Sequence, residues 1–168
     1  MTLPGIRVKQ LRRTADERGF FTEIMRTDWA DIFSQDQIVQ ANLSVTYPNI
    51  IRAWHKHERG QVDYFLVIHG ALKICAYDEN SRELEEIVST GENQQIVRIP
   101  GDYWHGFQVL GQDSATLVYF VNKPYDCKKP DELRRSWNDA TVNPKIINGR
   151  TDDPRCNKPW NWLQPPHR

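Results

Sequence analysis

The stretch from Ile50 to Asn122 constrains this chain most. It carries segments dense in Val, Ile, Tyr, Phe and Trp: IIRAWH (50–55), DYFLVIHGALKICAYD (63–78), IVRIP (96–100), HGFQVLG (105–111) and ATLVYFVN (115–122). Such residues fit a pleated, half-buried surface. Gly70 divides the second run at a tight turn after His69, and Gly91, Pro100-Gly101 and Gly111 punctuate the rest. Many short strands with regular turn signals predict an antiparallel sandwich or barrel, not alternating βαβ units. With 168 residues the chain is expected to be one domain. That length buries a core without disulfides or metals.

Charge narrows the function. Lys+Arg and Asp+Glu both number 22, for a net charge of zero. A general binder of nucleic acid or anionic membrane carries a basic excess, which is absent here. No run approaches the roughly 20 apolar residues of a membrane span. MTLPGIRVKQLRR shows no apolar run ahead of a small-residue cleavage site. Cys75, Cys127 and Cys156 are odd in number and form no CxxC. A reducing cytoplasm is the expected setting, with Cys75 acting as a small core hydrophobe in its apolar alternation.

Helix signals are few. Asp28 is positioned to cap a short helix through Ile32 and Phe33, and Pro130-Asp131-Glu132 opens a second over DELRRSW. The tail from Asn148 is proline-rich and holds Trp160 and Trp162. Such rings are expected to pack on the body of the protein or on a partner. The run Arg82-Glu83-Leu84-Glu85-Glu86 reads as a solvated hairpin edge.

Four constellations bear chemistry. Asp16-Glu17-Arg18-Gly19-Phe20-Phe21-Thr22-Glu23 is by itself a charged turn. Gln40-Ala41-Asn42-Leu43-Ser44 precedes Arg52-Ala53-Trp54-His55-Lys56-His57. Alternation puts Arg52 on the face of Trp54, with His55 opposite, so only a bend or bulge brings Arg52 and His55 into one cavity. An arginine in an apolar strand needs a partner, either a carboxylate or an anion such as phosphate. Pro100-Gly101-Asp102-Tyr103-Trp104-His105-Gly106-Phe107 aims a histidine inward after a proline turn. Tyr119 and Tyr125 flank a Lys-Pro turn.

In this order, DxRGxFxE, QxNxS, RxxH, PGxxxHGF and Yx5Y resemble the nucleotide-sugar 3,5-epimerase family of the cupin superfamily. The resemblance spans roughly Leu3 to Asp139. It implies an all-β fold, a double-stranded β-helix (cupin jelly-roll barrel) with short peripheral helices. It divides the single domain into an exchange segment (about residues 1–45), a barrel core (about 46–125) and a C-terminal helix and tail (about 126–168). The implied reaction is epimerisation of a nucleotide-linked 4-keto-6-deoxy sugar. The implied base is His55, the acid Tyr119, and the residue orienting the base Asp139. Tyr125 and His105 line the pocket. Gln40, Asn42 and Arg52 are further substrate contacts. Arg18, Phe21 and Glu23 hold the nucleotide diphosphate from the partner subunit of a homodimer. Metal and organic cofactors are expected to be absent, since a proton α to a ketone yields to a neutral imidazole once the enolate is stabilised.

Two positions depart from the family. Its usual lysine, seven residues before the hairpin glycine, is here Asp63, whose charge opposes an enolate. His55-Lys56-His57 resembles the opening of the metal-binding cupin motif, with Gln61 or Asp63 for its glutamate and His105 for its distant histidine. The preferred reading of His57 is a rim residue beside Glu58 and Arg59. Alternatives therefore stay open: a related ketoisomerase, a metal-dependent cupin enzyme on His55, His57 and His105, and a sugar-nucleotide binder without catalysis.

Overall fold

The computed structural model describes residues 2–166. Two sheets face each other. One runs β1 (Arg7–Gln10), β9 (Gln95–Pro100), β6 (Val62–His69), β11 (Ala115–Val121), β4 (Gln40–Thr46). The other runs β12 (Leu133–Arg134), β5 (Ile51–Lys56), β10 (Trp104–Leu110), β7 (Ala71–Asp78), β8 (Glu83–Thr90), β13 (Ile146–Ile147). A separate hairpin, β2 (Arg13–Asp16) with β3 (Gly19–Thr22), stands on the surface. Except for the parallel β13–β8 pair, neighbouring strands are antiparallel. This is the anticipated jelly-roll barrel.

Alternation sorts the side chains. On β6 Phe65 and Val67 turn into the space between the sheets, where they meet Ile74, Phe107 and Leu117. Tyr64 turns outward with Ile96 and Phe120, and that outer face is covered by Ile32 and Phe33. Ile32 and Phe33 lie on α1 (Ala30–Phe33), a single turn. Its N-cap is Trp29, without a side-chain cap bond. The expected cap, Asp28, instead pairs with Arg26 at 2.7 Å.

The outer face of the second sheet is covered by the tail. Trp54, Cys75, Tyr77 and Leu84 pack against Val142, Ile147, Trp160 and Trp162. The Trp54 and Trp162 rings lie 4.7 Å apart. The tail thus docks on the body, and Cys75 is fully buried there. All three cysteines are free.

Two further local expectations fail. The 131–137 segment forms no helix; Leu133 and Arg134 pair with Lys56 and His55 as strand β12. The open edge of β5 offers it backbone partners, and Arg135 and Trp54 exchange N–H···O bonds of 3.0 Å just beyond. The 82–86 run is no solvated edge either. Strand β8 lies between β7 and β13, and Glu85 and Leu84 are buried. Glu86 pairs with the buried Arg155 at 2.7 Å.

One glycine is required by close approach. A Cβ on Gly106 would sit 2.4 Å from the Ala53 Cβ, so the glycine of HGF is what lets β10 lie against β5.

Candidate functional site

A cavity of about 980 Å³ opens between the sheets, at the upper end of the range of small-molecule sites. Inward positions of the facing strands build it. β4 contributes Gln40, Asn42 and Ser44, and β11 contributes Leu117 and Tyr119. From the other sheet, β5 contributes Arg52, His55 and the adjoining His57, and β10 contributes His105 and Phe107. Asp63 and Phe65 enter from β6.

Arg52 and His55 share this cavity because of a bulge. His105 pairs with His55, but the next residue, Gly106, pairs with Ala53. The extra residue is Trp54, which bonds Arg135 and buries its ring under the tail. One inserted residue reverses the alternation. Side chains three positions apart therefore reach the same side, and His57 follows His55 inward.

His55 is half-buried, and its Nε2 stands 3.6 Å from Glu132 Oε1. Burial, followed by the neighbouring His105, pulls its pKa down to about 4, against the opposing pull of Glu132. The imidazole is thus neutral near pH 7 and free to take a proton. Tyr119 sits on the opposite sheet, its ring 6.0 Å from that of Phe65. Burial and then the charges of Asp63 and Glu132 push its phenol up, against Arg52. A neutral imidazole and a protonated phenol thus occupy opposite walls.

The floor of the cavity is a buried polar cluster. Asp63 Oδ2 lies 2.9 Å from His105 Nε2 and 3.3 Å from His57 Nε2. Burial works to raise the Asp63 carboxyl, but the hydrogen bonds of His105 and His57 outweigh it and hold it well below the usual range. For His57, burial pulls the imidazole down, yet the Asp63 partner outweighs it and raises the pKa. His57 is therefore no rim residue: it is 7% exposed, and its Nδ1 donates to the Asp131 carbonyl.

Six Lys and Arg side chains line the cavity against four carboxylates, although the chain as a whole is neutral. Arg52 is exposed on the wall. Among the described residues it has no part in the ion pairs around it, which join Glu132 to Arg134 and Asp131 to Arg59. Of the two partners considered for it, the structural carboxylate is thus not supplied, and an anionic ligand fits.

Not every anticipated residue arrives. Gln40, Asn42, Arg52, His55, Asp63, His105, Tyr119 and Tyr125 all line the cavity. Tyr125 lies at the rim, its N–H donating to Gln40 Oε1 at 2.8 Å. Asp139 is not beside His55; its carboxylate accepts from the Thr141 N–H and hydroxyl at 2.8 and 2.7 Å. The carboxylate that faces His55 is Glu132, unforeseen because its segment read as a helix start. Arg18, Phe21 and Glu23 lie outside this chain's own cavity: Arg18 pairs with Asp16, Glu23 with Arg26, and Phe21 is 69% exposed. Arg59, Lys123 and Lys129 also line the cavity and carried no motif that singled them out.

The fold and the site define a cupin-type barrel with a histidine and a tyrosine on opposite walls of its mouth and a cationic rim. The chain belongs to the dTDP-4-dehydrorhamnose 3,5-epimerase family, which it matches over residues 1–156. Members are isomerases of nucleotide-linked keto sugars, and this protein is accordingly an epimerase acting on a nucleotide-linked 4-keto-6-deoxy sugar. A probable low-salt glycan biosynthesis epimerase, Agl13, of Haloferax volcanii is 37% identical over 134 residues, 77% of this chain and 85% of that one. The spore coat polysaccharide biosynthesis protein SpsL of Bacillus subtilis is 35% identical over 145 residues, 83% and 93% of the two chains. Among solved structures, the Legionella pneumophila epimerase in complex with dTDP-4-keto-L-rhamnose superposes with a TM-score of 0.75 at 23% identity, covering 84% of this chain and 78% of that one. ChmJ, a 3'-monoepimerase of Streptomyces bikiniensis in complex with dTDP-quinovose, gives 0.74 at 23% identity, covering 83% and 73%. Among the described residues no helix is long and apolar enough to cross a membrane.

Proposed function

We infer that His55 is the base and Tyr119 the acid of the epimerisation. His55 removes the proton α to the ketone, the C–H electron pair moves into an enolate, and the Tyr119 hydroxyl returns a proton to the same carbon from the other wall. Exchange with solvent then resets His55 and Tyr119. The supporting observation is their placement on opposite sheets of one cavity, the imidazole neutral and the phenol protonated. Arg52 and the cationic rim are assigned to the diphosphate, and Gln40 and Asn42 to polar groups of the substrate. The test is proton NMR of the protein with dTDP-4-keto-6-deoxyglucose in D2O. Deuterium at C3, C5 or both is expected; no incorporation overturns the assignment.

Glu132 is assigned as the group that orients the base. Its charge raises the His55 pKa, so Glu132→Gln is expected to lower it further, by about 1 unit. The acid limb of kcat/KM, where the base becomes protonated, then moves to lower pH. An unmoved limb removes Glu132 from the role.

The same reading assigns a homodimer that exchanges its N-terminal hairpins. A lone two-stranded hairpin is at best marginal in water, and β2–β3 is exposed along nearly its whole length. Strand β4 turns Leu43 and Val45 outward at 67% and 48% exposure on an edge without a second neighbour, a surface that invites cover. A partner's hairpin would bring its own Arg18, Phe21 and Glu23 to this cavity. Light scattering is expected to give twice the chain mass of 19.7 kDa. Leu43→Glu with Val45→Glu is expected to give monomers with a raised KM; a monomeric wild type ends the proposal.

A further inference from the structure

The cluster on the cavity floor has a chemistry that the acid–base pair does not use. His57, Asp63 and His105 are 7%, 4% and 1% exposed. Each imidazole spends its Nδ1 on a backbone carbonyl: His57 on Asp131, and His105 on Tyr103 at 2.9 Å. A carbonyl only accepts, so both Nδ1 atoms carry the hydrogen. In the neutral rings both Nε2 atoms are then lone pairs, and both point at the carboxylate oxygen Asp63 Oδ2. Acceptors facing one another in a buried site repel unless a cation lies among them. Protons on the rings are one such cation and a metal ion is the other.

The geometry suits the metal. One nitrogen from each histidine and one Asp63 oxygen lie within 4.8 Å of one another. Bonds of about 2.0–2.2 Å to a central ion place ligand atoms about 3–4 Å apart, so small side-chain adjustments suffice. Nδ1–H bonds to carbonyls are the usual means by which a protein orients a metal-bound imidazole. The Gln61 amide donates to Asp63 Oδ1 at 2.9 Å, leaving Oδ2 to the ion, and stands 3.2 Å from His57 Nε2. All three residues also face the cavity, so one coordination position is open to water or substrate.

We propose that His57 Nε2, Asp63 Oδ2 and His105 Nε2 bind a divalent transition-metal ion of the zinc, cobalt and iron class. Two nitrogens and a carboxylate oxygen with an open position suit that class. On the epimerase reading this resolves the conflict at Asp63. A carboxylate where the family has a lysine opposes a developing enolate, and the carboxylate with its ion has the sign that an enolate requires. Metal binding itself does not rest on that reading.

The test uses the tag-free full chain, stripped with chelator and titrated with Zn(II) and Co(II) in the absence of sugar nucleotide. One ion per chain is expected, with Co(II) giving the visible bands of a low-symmetry nitrogen-oxygen site. Asp63→Asn and His105→Gln are each expected to weaken binding more than 100-fold, beyond the roughly 10–100-fold cost of altering an outer partner. Circular dichroism checks that both variants fold. If either fails to fold, Cu(II) electron paramagnetic resonance of the wild type decides: two imidazole nitrogens on the ion support the site, and fewer overturn it. No binding by the stripped wild type, or binding untouched by both variants, overturns it as well and leaves protons as the cluster's only cation. Solvent deuterium exchange is measured separately on stripped and loaded protein. A metal site without exchange then sinks the epimerase assignment alone, and exchange by a wild type that binds no ion sinks the metal site alone.

Discussion

Replacing His55 with alanine is expected to lower solvent deuterium incorporation into the keto sugar by about 10²–10⁴-fold, the usual contribution of a positioned general base. The effect should fall on kcat more than on KM, because Arg52 and the cationic rim remain in place. Stability should change little. His55 is only half-buried, and its pKa near 4 already reflects a site that disfavours the charged ring. Tyr119→Phe separates the two halves of the reaction. It removes the returning proton and leaves the abstracting base, so exchange from the His55 side persists while inversion is lost. An undiminished exchange rate in the alanine variant would assign the base elsewhere, with His105 the first candidate because its ring centroid is 6.2 Å from that of His55.

Trp162→Ala is expected to destabilise the protein by about 3–5 kcal/mol, the range for truncating a buried tryptophan. The ring is fully buried against Trp54, and its Nε1 donates to the Trp137 carbonyl at 3.1 Å. That loss is a large fraction of the 5–15 kcal/mol typical of a native protein. It corresponds to a fall of about 10 °C in Tm for a chain of this size. Urea unfolding measures it directly. Trp162→Phe keeps most of the packing and loses one hydrogen bond, for about 1–2 kcal/mol. Catalysis should suffer alongside stability. Trp162 packs behind Trp54, the bulged residue that lets Arg52 and His55 face the same way. A tail whose removal leaves stability unchanged would contradict this account of the second sheet.

Much of the fold is legible along the chain. β6, β7, β10 and β11 fall where β-branched and aromatic residues cluster between glycines, because strand formation on a half-buried surface is a local pattern. Inward residues such as Asn42, Tyr119 and His105 follow from strict alternation. The helix over DELRRSW is misread for a reason of the same kind. Acidic residues after a proline are a good helix start when nothing else competes, but the open edge of β5 competes and wins. β8 is misread because a charge-rich run looks solvated until its partners, Arg155 and the Thr2 hydroxyl, are placed beside Glu86 and Glu85.

By itself the sequence determined the strand-rich barrel, the family and eight of the residues that line the cavity, since these rest on residue type and on short spacings along the chain. Only the tertiary structure decided which carboxylate meets His55 and what surrounds Asp63. Asp139 and Glu132 are equally acidic on paper, and the pairing of β12 with β5 chooses between them. His105 meets Asp63 across 42 residues of chain, and His57 reaches the same oxygen only because the Trp54 bulge reverses its face. Contacts of that kind depend on register between strands, which is settled by packing of the whole barrel and leaves no mark in the local order of residues.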